Sequence, residues 1–204
     1  FVEAFPDKPR AYHFTHMSNA VKIIKSHTLQ SRNKADGVFE NSAGTNVDNT
    51  AKAHSFARFY FISKSPTLFY NECLGKDRND GKYYSSALNL GLPKCPMPVF
   101  FVIDVEELLA KVPDKCYYSN GNMQKRSTRA YKVVDDPHHI STDEIYNKYN
   151  KDARQQEFLV KDEVDLSSLS SLHICCYDSY QRDMLKSLVG SSPLKDRIIS
   201  KEDL

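Results

Sequence analysis

The sequence predicts an α+β fold organised as a single domain over residues 1–204 with its core at about 11–190. Three observations predict it. Apolar runs of high β-propensity recur at 56–62 (FARFYFI), 98–104 (PVFFVID), 156–160 (QEFLV) and 173–178 (HICCYD). Helical segments fall among them without the regular alternation that a parallel sheet requires. The composition, 40% hydrophobic and 26% charged, is that of a globular chain long enough to bury a sizeable core.

The first element is RAYHFTH (10–16), which alternates as a strand with Tyr12, Phe14 and His16 on one face and His13 and Thr15 on the other. Ser18 is the expected cap of a helix whose Val21, Ile23 and Ile24 turn inward. Residues 33–54 carry Asn, Gly, Ala and Thr without a period and read as a long loop. The strand at 56–62 follows, and SPTLFYNE after it opens with the Ser-Pro signature of a helix entry. A second loop, GKDRNDGKYYSS, leads towards the strand at 98–104 and the helix VEELLAKV (105–112). CYYSNGN (116–122) reads as a strand ending in a turn, because Asn-Gly tolerates positive backbone angles. STDEIYNKYNKDA (141–153) predicts a capped helix, with Ser141 or Thr142 at its start and Glu144 in its first turn. The last helix runs from Tyr180 to about Val189 and stops at Gly190.

Several function classes are excluded at this level. No apolar run approaches the about 20 residues that cross a bilayer. Residues 1–10 lack the basic start and apolar stretch of a secretory signal, and without an initiator methionine the chain reads as a domain of a longer protein. The terminal KEDL resembles a retention signal only loosely. Cys73, Cys95, Cys116, Cys175 and Cys176 form no C-x-x-C pair, and their odd number suits a reducing, intracellular setting. No metal is expected, since His138 and His139 are adjacent and diverge. Neither a Ser-His-Asp arrangement nor a glycine-rich phosphate loop is visible. The net charge of +2 argues for no nucleic-acid partner by itself, but residues 122–132 hold Lys125, Arg126, Arg129 and Lys132 without an acid. Such a stretch is either a phosphate-holding loop or a solvated surface loop.

RQQEFLV (154–160) is the stretch that points to chemistry. As a strand it sends Gln155, Glu157 and Leu159 one way and Gln156, Phe158 and Val160 the other. A carboxylate at the mouth of a buried element is either hydrogen-bonded or shifted in pKa, both features of a working site. The bland reading is a sheet-edge glutamate facing water.

In order along the chain, YHFTH, Asn19 in the first helix, FYFISKSPTLFY, SNGN and QQEFLV resemble the DarT family of ADP-ribosyltransferases, which move ADP-ribose from NAD onto bases of DNA. The resemblance covers roughly residues 11–178. It implies a split β-sandwich with helices around a central NAD cleft. It further implies Glu157 as the catalytic carboxylate, with His13, Thr15 and Asn19 on the cofactor and Gln155 beside them. Better-known members carry an arginine in the loop before the central strand. Here residues 37–56 contain none, and of the nearest candidates, Arg32 and Arg58, the second is preferred because it starts a strand. Tyr60 and Tyr70 would stack on nicotinamide or belong to the core. The implied activity is transfer to thymine or guanine in single-stranded DNA, with release of nicotinamide and DNA favoured over RNA. Asn120, Asn122, Lys125, Arg126 and Arg129 would track the strand, and Tyr117, Tyr118 or Tyr131 would stack on bases or be buried. Other readings are transfer to RNA or protein, NAD hydrolysis, or a nucleic-acid-binding module without turnover.

Overall fold

The computed structural model describes residues 9–35, 51–68, 97–135, 145, 147, 149–150 and 152–203. Among these residues there are ten strands: β1 (Arg10–His16), β2 (Thr28–Gln30), β3 (Phe56–Tyr60), β4 (Pro98–Asp104), β5 (Cys116–Ser119), β6 (Ala130–Lys132), β7 (Glu157–Lys161), β8 (Glu163–Asp165), β9 (His173–Cys176) and β10 (Ile198–Ser200). Eight of them form one sheet in the order β10-β9-β4-β1-β3-β7-β5-β6, and β2 pairs with β8 separately. Pairing is antiparallel except where β10 runs parallel to β9.

Strand β1 lies along β4 from Arg10↔Asp104 to His16↔Pro98, whereas it meets β3 at Tyr12↔Tyr60. The sheet is thus made of two well-paired blocks joined at a narrow seam. Residues directly opposite one another share a face. Through the register, one face carries Ala11, His13, Thr15, Phe101, Phe59, Phe158 and Ile174, and the other carries Tyr12, Tyr60, Arg58, Glu157 and Leu159.

The first face packs the main core. Helix α1 (Met17–Ser26) places Met17, Ala20, Ile23 and Ile24 on it, and helix α3 (Ser179–Val189) adds Leu185 and Val189. Between them in sequence, α2 (Val105–Lys111) follows β4 directly and buries Leu108 in the same cluster. The second face holds two smaller apolar clusters, Tyr12 with Val102 and Cys175, and Ala53 with Met123 and Leu159.

The structure corrects several expected boundaries. His16, not Ser18, caps α1; its Nδ1 accepts from the Ser18 amide at 3.2 Å and lies 2.8 Å from the Ser18 hydroxyl. Strand β3 stops at Tyr60 rather than residue 62, and β9 stops at Cys176. Gln155 is not in a strand: residues Ala153–Gln155 form a 3₁₀ turn, and β7 begins at Glu157. The helix expected over 141–153 falls mostly outside the described residues, and its end is a turn with Asn150 Oδ1 capping the Ala153 amide at 3.0 Å. β10 lies beyond residue 190, with Ile198 fully buried. Ser65 Oγ does accept from the Leu68 amide at 3.2 Å, as the helix-entry signature requires. No helix among the described residues is long and apolar enough to cross a membrane.

Candidate active site

Glu157 opens β7, where Phe158, Leu159 and Val160 are fully buried and fix the strand in place. Its own side chain is fully buried as well. A carboxylate there is costly unless its oxygens are bonded, and the surroundings supply the bonds. Arg58 Nε donates to Oε2 at 2.6 Å and Arg58 Nη2 to Oε1 at 2.8 Å, a two-pronged charge-assisted pair. The Met123 amide adds a third bond to Oε1 at 2.9 Å. Below the carboxylate, the Glu157 amide donates to Ser119 Oγ at 2.9 Å, and that hydroxyl donates to the Gly121 carbonyl at 2.5 Å.

Arg58 comes from β3, the neighbour of β7, with Arg58 opposite Leu159 and Tyr60 opposite Glu157. This register puts the guanidinium diagonally across from the carboxylate on one face. Burial works against the guanidinium charge, but the Glu157 carboxylate more than offsets it and holds Arg58 firmly protonated. Tyr60 is buried and stacks on Phe14, with ring centres 5.7 Å apart and planes 19° from parallel. Burial and the nearby Glu157 charge push its phenol up to about 12. One face of its ring is thus engaged by another aromatic, as the core alternative for Tyr60 has it; Tyr70 lies outside the described residues.

His13 projects from the opposite face of β1, against Phe59 and Phe101, with ring centres 5.9 and 6.1 Å away. At the seam its Nδ1 lies 2.9 Å from the Arg58 carbonyl. A carbonyl only accepts, so Nδ1 carries the hydrogen and Nε2 of the neutral ring is left as an acceptor. Burial, reinforced by the Arg58 charge and only partly countered by that hydrogen bond, pushes the imidazole down to about 4. It is uncharged at neutral pH. Thr15, two residues on, is buried and its Oγ1 accepts from Asn19 Nδ2 at 3.1 Å. The expected set therefore divides: Glu157 and Arg58 form one group, Thr15 and Asn19 another, and His13 shares a strand face with Thr15 while bonding to the Arg58 main chain.

The SNGN turn builds the site's third side. Gly121 sits at φ +158°, a conformation that favours glycine. Asn120 Oδ1 accepts from the Arg129 amide at 2.9 Å, while Asn122 accepts from the Gln124 amide at 2.9 Å and donates to Gln155 Oε1 at 3.2 Å. Both asparagines thus bond to the loop's own backbone, and Asn122 also ties the loop to Gln155 in the turn before β7. Lys125 pairs with Asp152 at 2.9 Å and Lys132 with Asp114 at 3.2 Å, whereas Arg126 and Arg129 are exposed. Of the tyrosines, Tyr118 is buried and stacks on Tyr131 with centres 5.5 Å apart, and Tyr117 meets the edge of Phe56 at 5.2 Å. Arg32 lies just past β2 and is exposed.

Sequence reasoning missed Ser119 and the Met123 amide. Ser119 opens the SNGN stretch but was given no role of its own, and a backbone donor has no residue signature; only the Asn-Gly turn two residues before Met123 hinted at one. Among the described residues no cluster of His, Cys, Asp and Glu could hold a metal ion.

Comparisons with known proteins bear on the family and the fold. The family model described as "ssDNA thymidine ADP-ribosyltransferase, DarT" matches residues 12–204. No curated protein is matched. Among solved structures, Thermus sp. 2.9 DarT in complex with NAD+ superposes with a TM-score of 0.65 at 14% identity, covering 96% of this chain and 100% of that one. The same protein in complex with ADP-ribosylated ssDNA gives 0.67 at 15% identity, with 96% and 98% covered. Thermosipho africanus DarTG in complex with ADP-ribose gives 0.57 at 16% identity, covering 93% of this chain and 50% of that one. At these identities the structures speak to the fold, which is that of the ADP-ribosyltransferases. With the family model spanning nearly the whole length, the chain belongs to the DarT family of single-stranded-DNA ADP-ribosyltransferases.

Proposed function

We propose that this enzyme transfers ADP-ribose from NAD to the thymine base of single-stranded DNA and releases nicotinamide. The observation that carries the reading is the enclosed Glu157 carboxylate, gripped by Arg58 and the Met123 amide. An ionised carboxylate offers about four acceptor positions. Three are taken, two on Oε1 and one on Oε2, which leaves Oε2 able to receive a ribose hydroxyl. Because Glu157 is fully enclosed, that hydroxyl reaches it only when what covers the carboxylate moves.

In the reaction the glycosidic C–N bond to nicotinamide breaks, its electron pair leaves with the neutral pyridine, and the ribose becomes oxocarbenium-like. Glu157 holds the sugar and offsets its positive charge. The ring nitrogen of thymine that bears a proton attacks the ribose carbon; the new N–C bond forms, and Glu157 is the acceptor within reach for that proton. His13 Nε2 accepts from a hydroxyl of the adenine-side ribose, with Thr15 and Asn19 beside it. Arg58 keeps Glu157 in position and places a cation at the nicotinamide end. An intracellular setting follows from this reading, since NAD and single-stranded DNA are both found there.

The test uses labelled NAD with oligonucleotides of one base composition at a time, followed by mass spectrometry. Label on thymine-containing strands is expected. Label on guanine strands alone would reassign the base, and label on RNA or protein, or free ADP-ribose only, would overturn the reading. Glu157→Ala should abolish transfer while NAD binding largely persists, whereas His13→Ala should weaken NAD binding itself.

A further inference from the structure

We propose that Lys52 is a positioning residue, which holds the basic loop against β3 so that the Met123 amide stays on the Glu157 carboxylate. The inference rests on the transfer reaction proposed above. Lys52 lies in the 3₁₀ helix Ala51–Ser55 that feeds directly into β3. Its Nζ donates to the carbonyls of Lys125 (3.2 Å), Arg126 (3.3 Å) and Thr128. These three bonds use every donor an ammonium has.

The arrangement has a physical consequence. Three carbonyl oxygens aimed at one point repel each other unless a cation sits between them, so the path of residues 125–128 depends on this ammonium. That stretch continues the turn that carries Met123: the Lys125 amide bonds to the Asn122 carbonyl at 2.9 Å, and the Thr128 amide to the Lys125 carbonyl at 3.2 Å. Ala53, the next residue after Lys52, packs on Met123 and Leu159 in one apolar cluster. One short segment thus fixes both sets of donors on the carboxylate. Arg58 acts directly, and Lys52 acts through the loop that presents the Met123 amide. With its donors committed to carbonyls, Lys52 is not a phosphate contact.

The experiment compares Lys52→Ala and Lys52→Arg in the full chain. It measures kcat, KM for NAD and for a thymine oligonucleotide, and exchange of individual backbone amides. For Lys52→Ala, kcat should fall about tenfold or more, within the roughly hundredfold that a 1 Å misplacement near the reacting atoms can cost, while both KM values stay within about threefold. The Met123 amide should lose protection while the Glu157 amide, bonded to Ser119, keeps it. Ethylammonium should restore kcat in a saturable way, tetramethylammonium at equal ionic strength should not, and Lys52→Arg should retain part of the rate. Three results would each overturn the proposal: unchanged protection at Met123, a loss confined to the oligonucleotide KM, or a general loss of protection across the sheet. A wild-type protein that transfers nothing would sink the proposed function, yet amide exchange would still decide the role of Lys52.

Discussion

At the scale of single residues, the pair of Arg58 and Glu157 is the most demanding feature of the molecule. Both charges are withdrawn from water, with side-chain exposures of 15% and 0%, and each is tolerable because the other is present. Deleting one partner of such a pair costs about 3–5 kcal/mol, because the survivor is left buried and uncompensated. Arg58→Met should therefore destabilise the fold on that scale in urea unfolding, leaving Glu157 with the Met123 amide alone. The double variant Arg58→Met with Glu157→Leu should be less destabilised than Arg58→Met by itself; if it is worse, the two charges do not depend on each other. Glu157 was legible in the sequence because an acid directly before a run of apolar strand residues has few reasons to be there. Arg58 was legible only through its place at a strand start. The Met123 amide and Ser119 hydroxyl were not, since neither residue type advertises a bond that the turn geometry creates.

Among the elements, legibility follows the amount of apolar pattern each one carries. β4, β7 and α3 bury most of their inward positions and stand out in the sequence. β2, β8 and β10 are three residues long, too short for an alternation to show, and exist because neighbouring segments supply their partners. The α1 cap was misplaced by two residues because a histidine nitrogen did what a serine hydroxyl was expected to do. An unforeseen clamp sits between α2 and the segment before β9. Glu107 accepts from the Ser170 and Ser171 amides at 2.7 and 2.8 Å and from both hydroxyls. Burial alone would raise its pKa, but these bonds outweigh it and hold the carboxyl down at about 2. A depressed carboxylate stabilises the fold above its unfolded value near 4.5 and loses that contribution as pH falls through about 2. Glu107→Gln should thus cost about 1 kcal/mol at pH 7, a figure discounted for solvent screening, and the difference from wild type should shrink steadily in urea titrations between pH 4.5 and 2.

For the whole molecule, the sequence predicted strands and helices but not their order in space, because pairings such as Tyr12 with Tyr60 and Val102 span tens of residues and leave no local trace. That order matters for function. It brings the ends of β1, β3 and β7 together at the seam, with the helix-covered face supplying His13, Thr15 and Asn19 and the other supplying Glu157 and Arg58. The loop after β5 then borders the same carboxylate through the Met123 amide. Charge is distributed in a way that the net +2 conceals. Among the basic residues of this loop, Lys125 and Lys132 are paired with acids, while Arg126 and Arg129 face solvent, and under the proposed function the two arginines are the ones expected to hold phosphates. A single-stranded nucleic acid releases counterions with a slope of about −0.7 per phosphate neutralised. Replacing Arg126 and Arg129 with alanine should weaken oligonucleotide binding and reduce the slope of log K against log salt by about 1.4, twice that single-phosphate value. Replacing Lys125 should change the slope little, because its charge is already met by Asp152. Fluorescence anisotropy with a short labelled strand across a salt series measures both. A slope that falls as much for Lys125→Ala as for the arginine pair would mean that the ion pair to Asp152 opens when DNA binds, and that the loop is gripped by the strand rather than by its own protein.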